Sequence, residues 1–582
     1  MSANTAKIMI IVAVAAVLFW WPSSRFEFLN YDDNEYVFEN SAMKTGLSVE
    51  GVRWSFNCGY AANWHPLAWL SLMADVSLAR AAERLGIVAR ERPKHETWCL
   101  DCDENALARI MHVHNILLHA ANTFLIFVLA LWLCRRHAPG GATDAAAAAL
   151  CAFAAVAWCV HPLRSEVVCW VSERKELASV FFMLLALLAH LKSGVEVAAH
   201  CAKGKVLRLV SLSFFALALL AKPVAVTLPL VILAYDWMIV RMGFARALLR
   251  VLPFSALSFV ACLLTLSAQR EAMPGLGDMS TSARVSCVLK APLVYLAQTV
   301  FPYGVSSWYA VPRRPEWIWA LAGFLFLAVL AAILVWWFRV RSRRSAWAAF
   351  AVVWLYGGLL PMLGIVKVGG QPHSDRYTYW IGCGFAALLA IVGTRMVSRL
   401  SRVNFTAGCP PGVSRRTLAC VLAVVLLPYA VCGFARMFVW HDSLSLFRDG
   451  YENSREPDQA FTYASNLMPA KRYAEAEAVM REAASAHRDA KTFGRLALVL
   501  AQKEHSPSLD EARQLAESSL AGDPRTGEAH AALGHICLRE GRSVEAVRHY
   551  ELAKENGFKD QLIESLLARH RQGKAIGLEA RK

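Results

Sequence analysis

Thirteen residues, FLNYDDNEYVFEN from Phe28 to Asn40, follow the first apolar run of the chain and carry four acids, Asp32, Asp33, Glu35 and Glu39. Carboxylates this close to lipid are costly to place because they risk losing their hydration, so they are functional-site candidates by default. The chemistry they offer is proton transfer: a carboxylate at the water-facing end of a span can act as a catalytic acid or base. The alternative is a solvated loop in which the acids, with Asn30, Asn34 and Asn40, only make turns.

Three further polar constellations sit at the mouths of apolar runs. WHPL contributes His65, and HPLRSEVVCWVSERK contributes His161, Arg164, Glu166, Arg174 and Lys175. His161 and Pro162 end one helix, Arg164 and Glu166 share the loop, and Arg174 with Lys175 opens the next helix. Several donors close together can hold a phosphate oxygen, arginine bidentately; alternatively Arg164–Glu166 and Glu173–Lys175 neutralise each other as ion pairs. HSDRY places Asp375 and Arg376 after Lys367 and Gly369-Gly370, either as an ion pair holding the loop or as a contact to a donor phosphate. His112, His114 and His119 lack the spacing of three or four that puts ligands on one helix face, and no HExxH occurs. These histidines and His65 read as hydrogen-bonded interfacial residues, and no metal site is expected. The single CLDC at Cys99–Cys102 lacks the second pair of a zinc site. It reads as a disulfide or a thiol pair, with Asp101, Asp103 and Glu104 opposing an activated thiolate.

Positioning these groups falls to membrane helices. At 582 residues, 56% hydrophobic and with a mean hydropathy of +0.37, the chain reads as a polytopic membrane protein. Its net charge of +16 lies in short Arg and Lys clusters at the ends of apolar runs, where cations orient helices, so nucleic acid is not an expected partner. Spans are expected at about 6–22, 111–134, 144–160, 176–192, 206–221, 223–240, 248–267, 316–338, 346–364, 378–396 and 416–436, about eleven in all. The first ends on Trp20, Trp21 and Pro22 without a small-residue cleavage site and reads as an uncleaved anchor. With a cytoplasmic N-terminus the Arg and Lys clusters share one side. The acid loop, His65, the HPLRSE loop and HSDRY then share the other, within a membrane domain of residues 1–440 whose first outer loop is 23–110. The run from Val285 to Val300 reads as interfacial or re-entrant.

After Trp440 the chain turns charged and Ala-rich. Ala476, Ala512 and Ala546 recur at intervals of 36 and 34 residues, near the period of a helix–turn–helix repeat whose small residues let paired helices approach. His505–Ser508 accommodate the extra residues in a turn, and Gln561–Leu567 can cap the stack. Residues 441–582 thus read as about three tetratricopeptide repeats, giving an all-α chain with a multi-span helical domain and an α-solenoid.

Together NYDD, WHPLAWLSLMAD, HVHNILLHAANTFLIF, HPLRSEVVCWVSERKELASVFF, AKPVAVTLPLVILAYDW and SDRYTYW, followed by the repeats, resemble the transmembrane and tetratricopeptide repeat-containing O-mannosyltransferases and their bacterial relatives. The resemblance implies a GT-C glycosyltransferase fold, a polyprenyl-phosphate sugar as donor substrate, no obligatory cofactor or metal, and an active site on the extracytoplasmic face. It matches Asp32 and Asp33 to the catalytic acidic pair, and Arg164 and Glu166 to the HPxxxE loop. Arg164, Arg174, Lys175 and Arg376 become the donor-phosphate candidates, with His65, His161, Glu166 and Asp375 in support. A protein Ser/Thr hydroxyl is the implied acceptor, docked by the repeats in a periplasm beside a bacterial inner membrane. A lipid or glycan acceptor, or a non-catalytic scaffold for envelope complexes, are the alternatives. The chain departs from the family between Asp75 and His112, where the link is longer and lacks the family's Gly-Pro.

Overall fold

The computed structural model describes residues 3–57, 59–88, 102–137, 144–198, 202–268, 280–310, 312, 314–363, 371–406, 415–503, 509–574 and 576. Among these there are helices and turns and no strand. The chain divides into two units, Met1–Val305 with Val311–Ser443, and Ser306–Ala310 with Leu444–Lys582.

The first unit is built from α1 (Ala3–Trp20), α2 (Val49–Asn57), α3 (Pro66–Arg84), α4 (Glu104–His137), α5 (Asp144–Cys159), α6 (Ser165–Cys169), α7 (Arg174–Ala198), α8 (Ala202–Ala221), α9 (Leu228–Ala234), α10 (Phe244–Ala268), α11 (Thr281–Val300), α12 (Trp317–Val340), α13 (Arg343–Gly357), α14 (Thr378–Thr406) and α15 (Arg415–Met437). Among the described residues nine helices are long and apolar enough to cross a membrane, which makes this a multi-pass architecture. Two of the eleven expected spans take other forms. The run at 144–160 continues past Pro162 as a pair bent by 61°, because proline cannot donate the hydrogen bond a straight helix needs there. The run at 223–240 is a shorter apolar helix, Pro223–Ile239, assembled from a 3-10 turn, α9 and a π turn. The segment at 285–300 is the 20-residue α11. It packs on α12 so closely that a Cβ on Gly323 would meet the carbonyl oxygen of Leu289 at 2.1 Å.

The second unit contains α16 (Ser443–Ser454), α17 (Pro457–Leu467), α18 (Tyr473–Ala486), α19 (Ala490–Gln502), α20 (Leu509–Gly522), α21 (Gly527–Arg539), α22 (Ser543–Glu555) and α23 (Gln561–Arg571). α17 pairs with α18, α19 with α20 and α21 with α22, three helix–turn–helix units of tetratricopeptide-like form. Ala476, Ala512 and Ala546 are all fully buried on the second helix of each pair, and Ile563, Leu566 and Leu567 of α23 bury against the end of the stack. The expected turn at His505–Ser508 lies outside the described residues. Gly534 is the tightest approach in the last pair, since a Cβ there would meet Tyr550 Cε1 at 2.5 Å while Tyr550 is itself fully buried. Gly534→Ala should therefore destabilise the repeats by about 1–3 kcal/mol through overpacking. The check is urea unfolding of the full chain in micelles; an unshifted midpoint would refute it.

Candidate functional site

The acid loop is not a solvated turn. Behind the acids, Tyr36, Val37 and Phe38 are buried with Trp69, Met73, Val76, Leu107 and Met111 in one apolar cluster. Their side chains are directed inward by a single π turn over Asn34–Phe38, in which Glu39 N donates to Asn34 O at 2.8 Å. Such turns widen a helix by one residue and recur at functional sites. The four acids thereby separate: Asp33 is fully buried, Asp32 half-buried, Glu35 and Glu39 exposed.

Asp33 fastens the loop. Its Oδ2 accepts from Leu29 N at 3.0 Å, and its Oδ1 accepts from Ser172 N at 3.0 Å and Ser172 Oγ at 2.6 Å. Burial pushes its carboxyl up to about 6, against the pull of these hydrogen bonds. The other side of the loop is gripped by the segment that follows α15. Glu27 N donates to His441 O at 3.0 Å and Asn30 N to Ser443 Oγ at 2.7 Å. Trp440 stacks on Trp170 with ring centroids 5.9 Å apart, and Tyr31 stacks on Trp170 at 4.8 Å.

Asp32, thus presented, has no hydrogen-bonded or ion-paired partner for its carboxylate among the described residues. Burial raises its pKa above the ordinary carboxylate value, an effect that the positive fields of Lys175 and Arg376 partly offset. Those two cations belong to a network at the mouths of α7, α8 and α14. Glu173 accepts from Lys222 Nζ at 2.8 Å and lies 3.5 Å from Lys175 Nζ and 3.7 Å from Arg376 Nε. Lys222 also reaches Glu176 at 2.9 Å. Glu166 accepts from Arg376 N at 2.7 Å, pairs with the Arg376 guanidinium, and accepts from Ser374 Oγ at 2.8 Å. Lys175 donates to Tyr36 Oη at 3.0 Å, and burial raises the Tyr36 phenol. With Asp32 included, four carboxylates face three cations among the described residues.

Of the residues expected to form a site, Asp32, Asp33, Glu166, Lys175 and Arg376 are brought together. Arg164 and Arg174 are not available to a ligand. Arg164 turns into the bundle, donating to Thr378 O at 3.0 Å and Thr378 Oγ1 at 2.9 Å between Trp158 and Tyr379. Arg174 is saturated by Asp75, Asn115 and the carbonyl of Met111, and Asp75 also pairs with His114. His161 donates to the carbonyl of Thr299 at 3.0 Å and accepts from Leu163 N at 3.2 Å. Asp375 is buried in the turn before α14, its carbonyl accepting from Thr378 Oγ1 at 2.7 Å. His65 lies tilted by 38° against Trp69, ring centroids 4.6 Å apart, with its Nε2 buried and without a hydrogen-bond partner among the described residues. Its imidazole is held well below the usual range by burial first and then by Lys175 and Lys222, so it is neutral. His119 is not interfacial but buried, bonded to Tyr379 Oη at 2.8 Å and to Cys159 O at 3.2 Å. Cys102 is buried, while Cys99, and with it the expected Cys99–Cys102 pairing, lies outside the described residues, as do Lys367, Gly369 and Gly370.

Lys222, Glu176 and Tyr36 belong to the network although the sequence did not single them out, and Glu173, expected only as the ion-pair partner of Lys175, sits at its centre. The signal for Lys222 was present: a lone lysine between the apolar run of α8 and Pro223 falls, on the orientation expected from the sequence, on the side opposite the Arg and Lys clusters, where orienting cations are not needed.

No family model matches the chain, and no curated protein matches it. Among solved structures, the crystal structure of yeast Tom70 aligns over 72% of this chain and 95% of its own, at 12% identity and a TM-score of 0.19, a likeness too loose to carry an argument.

Proposed function

We propose that the chain is an integral-membrane glycosyltransferase that moves a sugar from a polyprenyl phosphate to a protein Ser/Thr hydroxyl on the extracytoplasmic face. The observation that carries this reading is Asp32, a half-buried carboxylate without a hydrogen-bonded or ion-paired partner among the described residues, set in the field of Lys175 and Arg376. A hydroxyl is a weak nucleophile, and a carboxylate that takes its proton as the new bond forms supplies general-base help. The acceptor oxygen bonds to sugar C1 while the bond from C1 to the phosphate oxygen breaks. The proton passes to Asp32, and the electron pair stays on the phosphate. Cations placed beforehand stabilise charge that develops there, a role that falls to Lys175 and Arg376 and not to Arg164 or Arg174. One displacement inverts the anomeric centre. The resemblance to the O-mannosyltransferases supports the donor class and the acceptor, with the repeats docking the acceptor protein in the periplasm.

Purified protein given a polyprenyl-phosphate sugar and an unglycosylated envelope peptide should yield a glycopeptide of inverted configuration; a retained configuration, or transfer to lipid or glycan alone, would overturn this assignment. Topology is checked separately. Among the described residues nine long helices, the bent pair and Pro223–Ile239 make eleven crossings if all span, so with a cytoplasmic N-terminus a reporter active only in the cytoplasm should be silent when fused after Lys582. An active fusion would place the repeats inside.

A further inference from the structure

We infer that Lys222 is the positioning residue of this site: by holding Glu173 and Glu176 it leaves Lys175 and Arg376 turned toward Asp32 and toward an anionic lipid phosphate. The inference rests on the transferase reading above. It begins in the backbone. Pro223 disfavours a helical residue before it, so α8 stops at Ala221 and Lys222 is extended, with φ −160° and ψ 138°. Ser179 Oγ of α7 donates to the Lys222 carbonyl at 3.3 Å, fixing the break against the neighbouring helix. From there the side chain crosses to the opening turn of α7, where its Nζ bridges Glu173 at 2.8 Å and Glu176 at 2.9 Å.

Glu173 and Glu176 lie three residues apart, a spacing that puts side chains on one helix face, and both are buried. Two buried carboxylates side by side repel each other and lack water to screen them. Lys222 is the cation in hydrogen-bond contact with both. Lys175 and Arg376 stand farther from Glu173, at 3.5 and 3.7 Å, which is attraction without a close hydrogen bond. Removing Lys222 would leave four carboxylates against two cations, and Glu173 would draw both cations onto itself. An arriving phosphate would then find its counter-charges occupied. Asp32 would lose a third positive neighbour as well. It faces Lys175, Arg376, Glu173 and Lys222, beside Asp33, Tyr31 and Tyr36, so loss of Lys222 leaves its proton harder to remove.

The test compares wild type, Lys222→Met, Lys222→Arg and the double variant Lys222→Met/Glu176→Gln as full-length protein in micelles. Lys222→Met should lower kcat/KM for the polyprenyl-phosphate sugar by about ten- to a hundredfold and move the acid limb of its pH profile upward. Lys222→Arg should retain most activity. The double variant, which removes one acid with the lysine, should recover most of the loss. A double variant as impaired as Lys222→Met would overturn the inference, because a lysine that itself touched the phosphate could not be replaced by deleting an acid. An unmoved acid limb in Lys222→Met would overturn it too. Binding of sugar-free polyprenyl phosphate, followed by tryptophan fluorescence, separates the two readings. If wild type transfers no sugar but Lys222→Met weakens this binding and the double variant restores it, the positioning role stands and the transferase reading falls.

Discussion

Replacing Asp32 by asparagine is expected to lower sugar transfer by about two to four orders of magnitude while donor binding stays close to wild type. The amide keeps the size of the carboxyl and cannot take the acceptor's proton. No hydrogen bond is lost with it, because the Asp32 carboxylate has none among the described residues. The pH dependence carries a second signature. Asp32 works as a base only when ionised, and burial raises its pKa despite Lys175 and Arg376. The wild-type rate should therefore climb with pH along an acid limb lying above the ordinary carboxylate range, and the limb should vanish in Asp32→Asn. Asp33→Asn is expected to fail differently. Its two oxygens accept from Leu29 N, Ser172 N and Ser172 Oγ, and an amide must turn an NH₂ toward one of those donors. That variant should lose thermal stability and donor binding together. Purified variants, a pH–rate profile and a melting curve decide: Asp32→Asn transferring at the wild-type rate would remove Asp32 from the base role.

Arg174→Met is expected to cost about 3–5 kcal/mol of stability, the range for removing one partner of a buried ion pair. Asp75 is fully buried, and without Arg174 it keeps, among the described residues, only His114, whose side chain is 43% exposed. Asn115 and the Met111 carbonyl lose their donor at the same time. Thermal unfolding of the full chain should show the loss, and adding Asp75→Asn should restore part of it, since the uncompensated charge is then gone. A phosphate-contact role makes the opposite forecast: melting unchanged, KM for the donor raised.

The acid loop, the apolar runs and the repeat period were legible because each is a local pattern: four acids after a span, hydropathy over about twenty residues, alanines near every thirty-fourth position. The burial of Arg164 and Arg174 was not legible, for a non-local reason. Sequence places Arg164 and Arg174 at a helix mouth but is silent on the direction of their side chains, which Thr378 and Asp75 decide from distant elements. Asp75 in particular sits in an amphipathic stretch where a single acid looks like part of a polar face. The separation of Asp32 from Asp33 was half legible. Neighbouring residues in a turning loop point different ways, yet which one faces Ser172 depends on the π turn that follows, and a π turn has no strong sequence signal. Lys222 and Glu176 were hidden because each is one charge at the edge of an apolar run, where a membrane anchor would look the same.

The grip of His441 and Ser443 on the acid loop also orders events in time. The hydrogen bond from Asn30 joins residues 413 positions apart, and the ribosome makes them in that order. At about 5–20 residues per second, roughly 20–80 s pass between the two. Until the last apolar helix is threaded and Ser443 arrives, Asn30 N and Glu27 N have no native acceptor and Trp170 has no Trp440 against it. A nascent chain therefore carries Asp32 on an unfinished support, held by Ser172 and the apolar cluster behind it but not yet by His441 and Ser443, and a message cut short between Ser172 and His441 leaves it so.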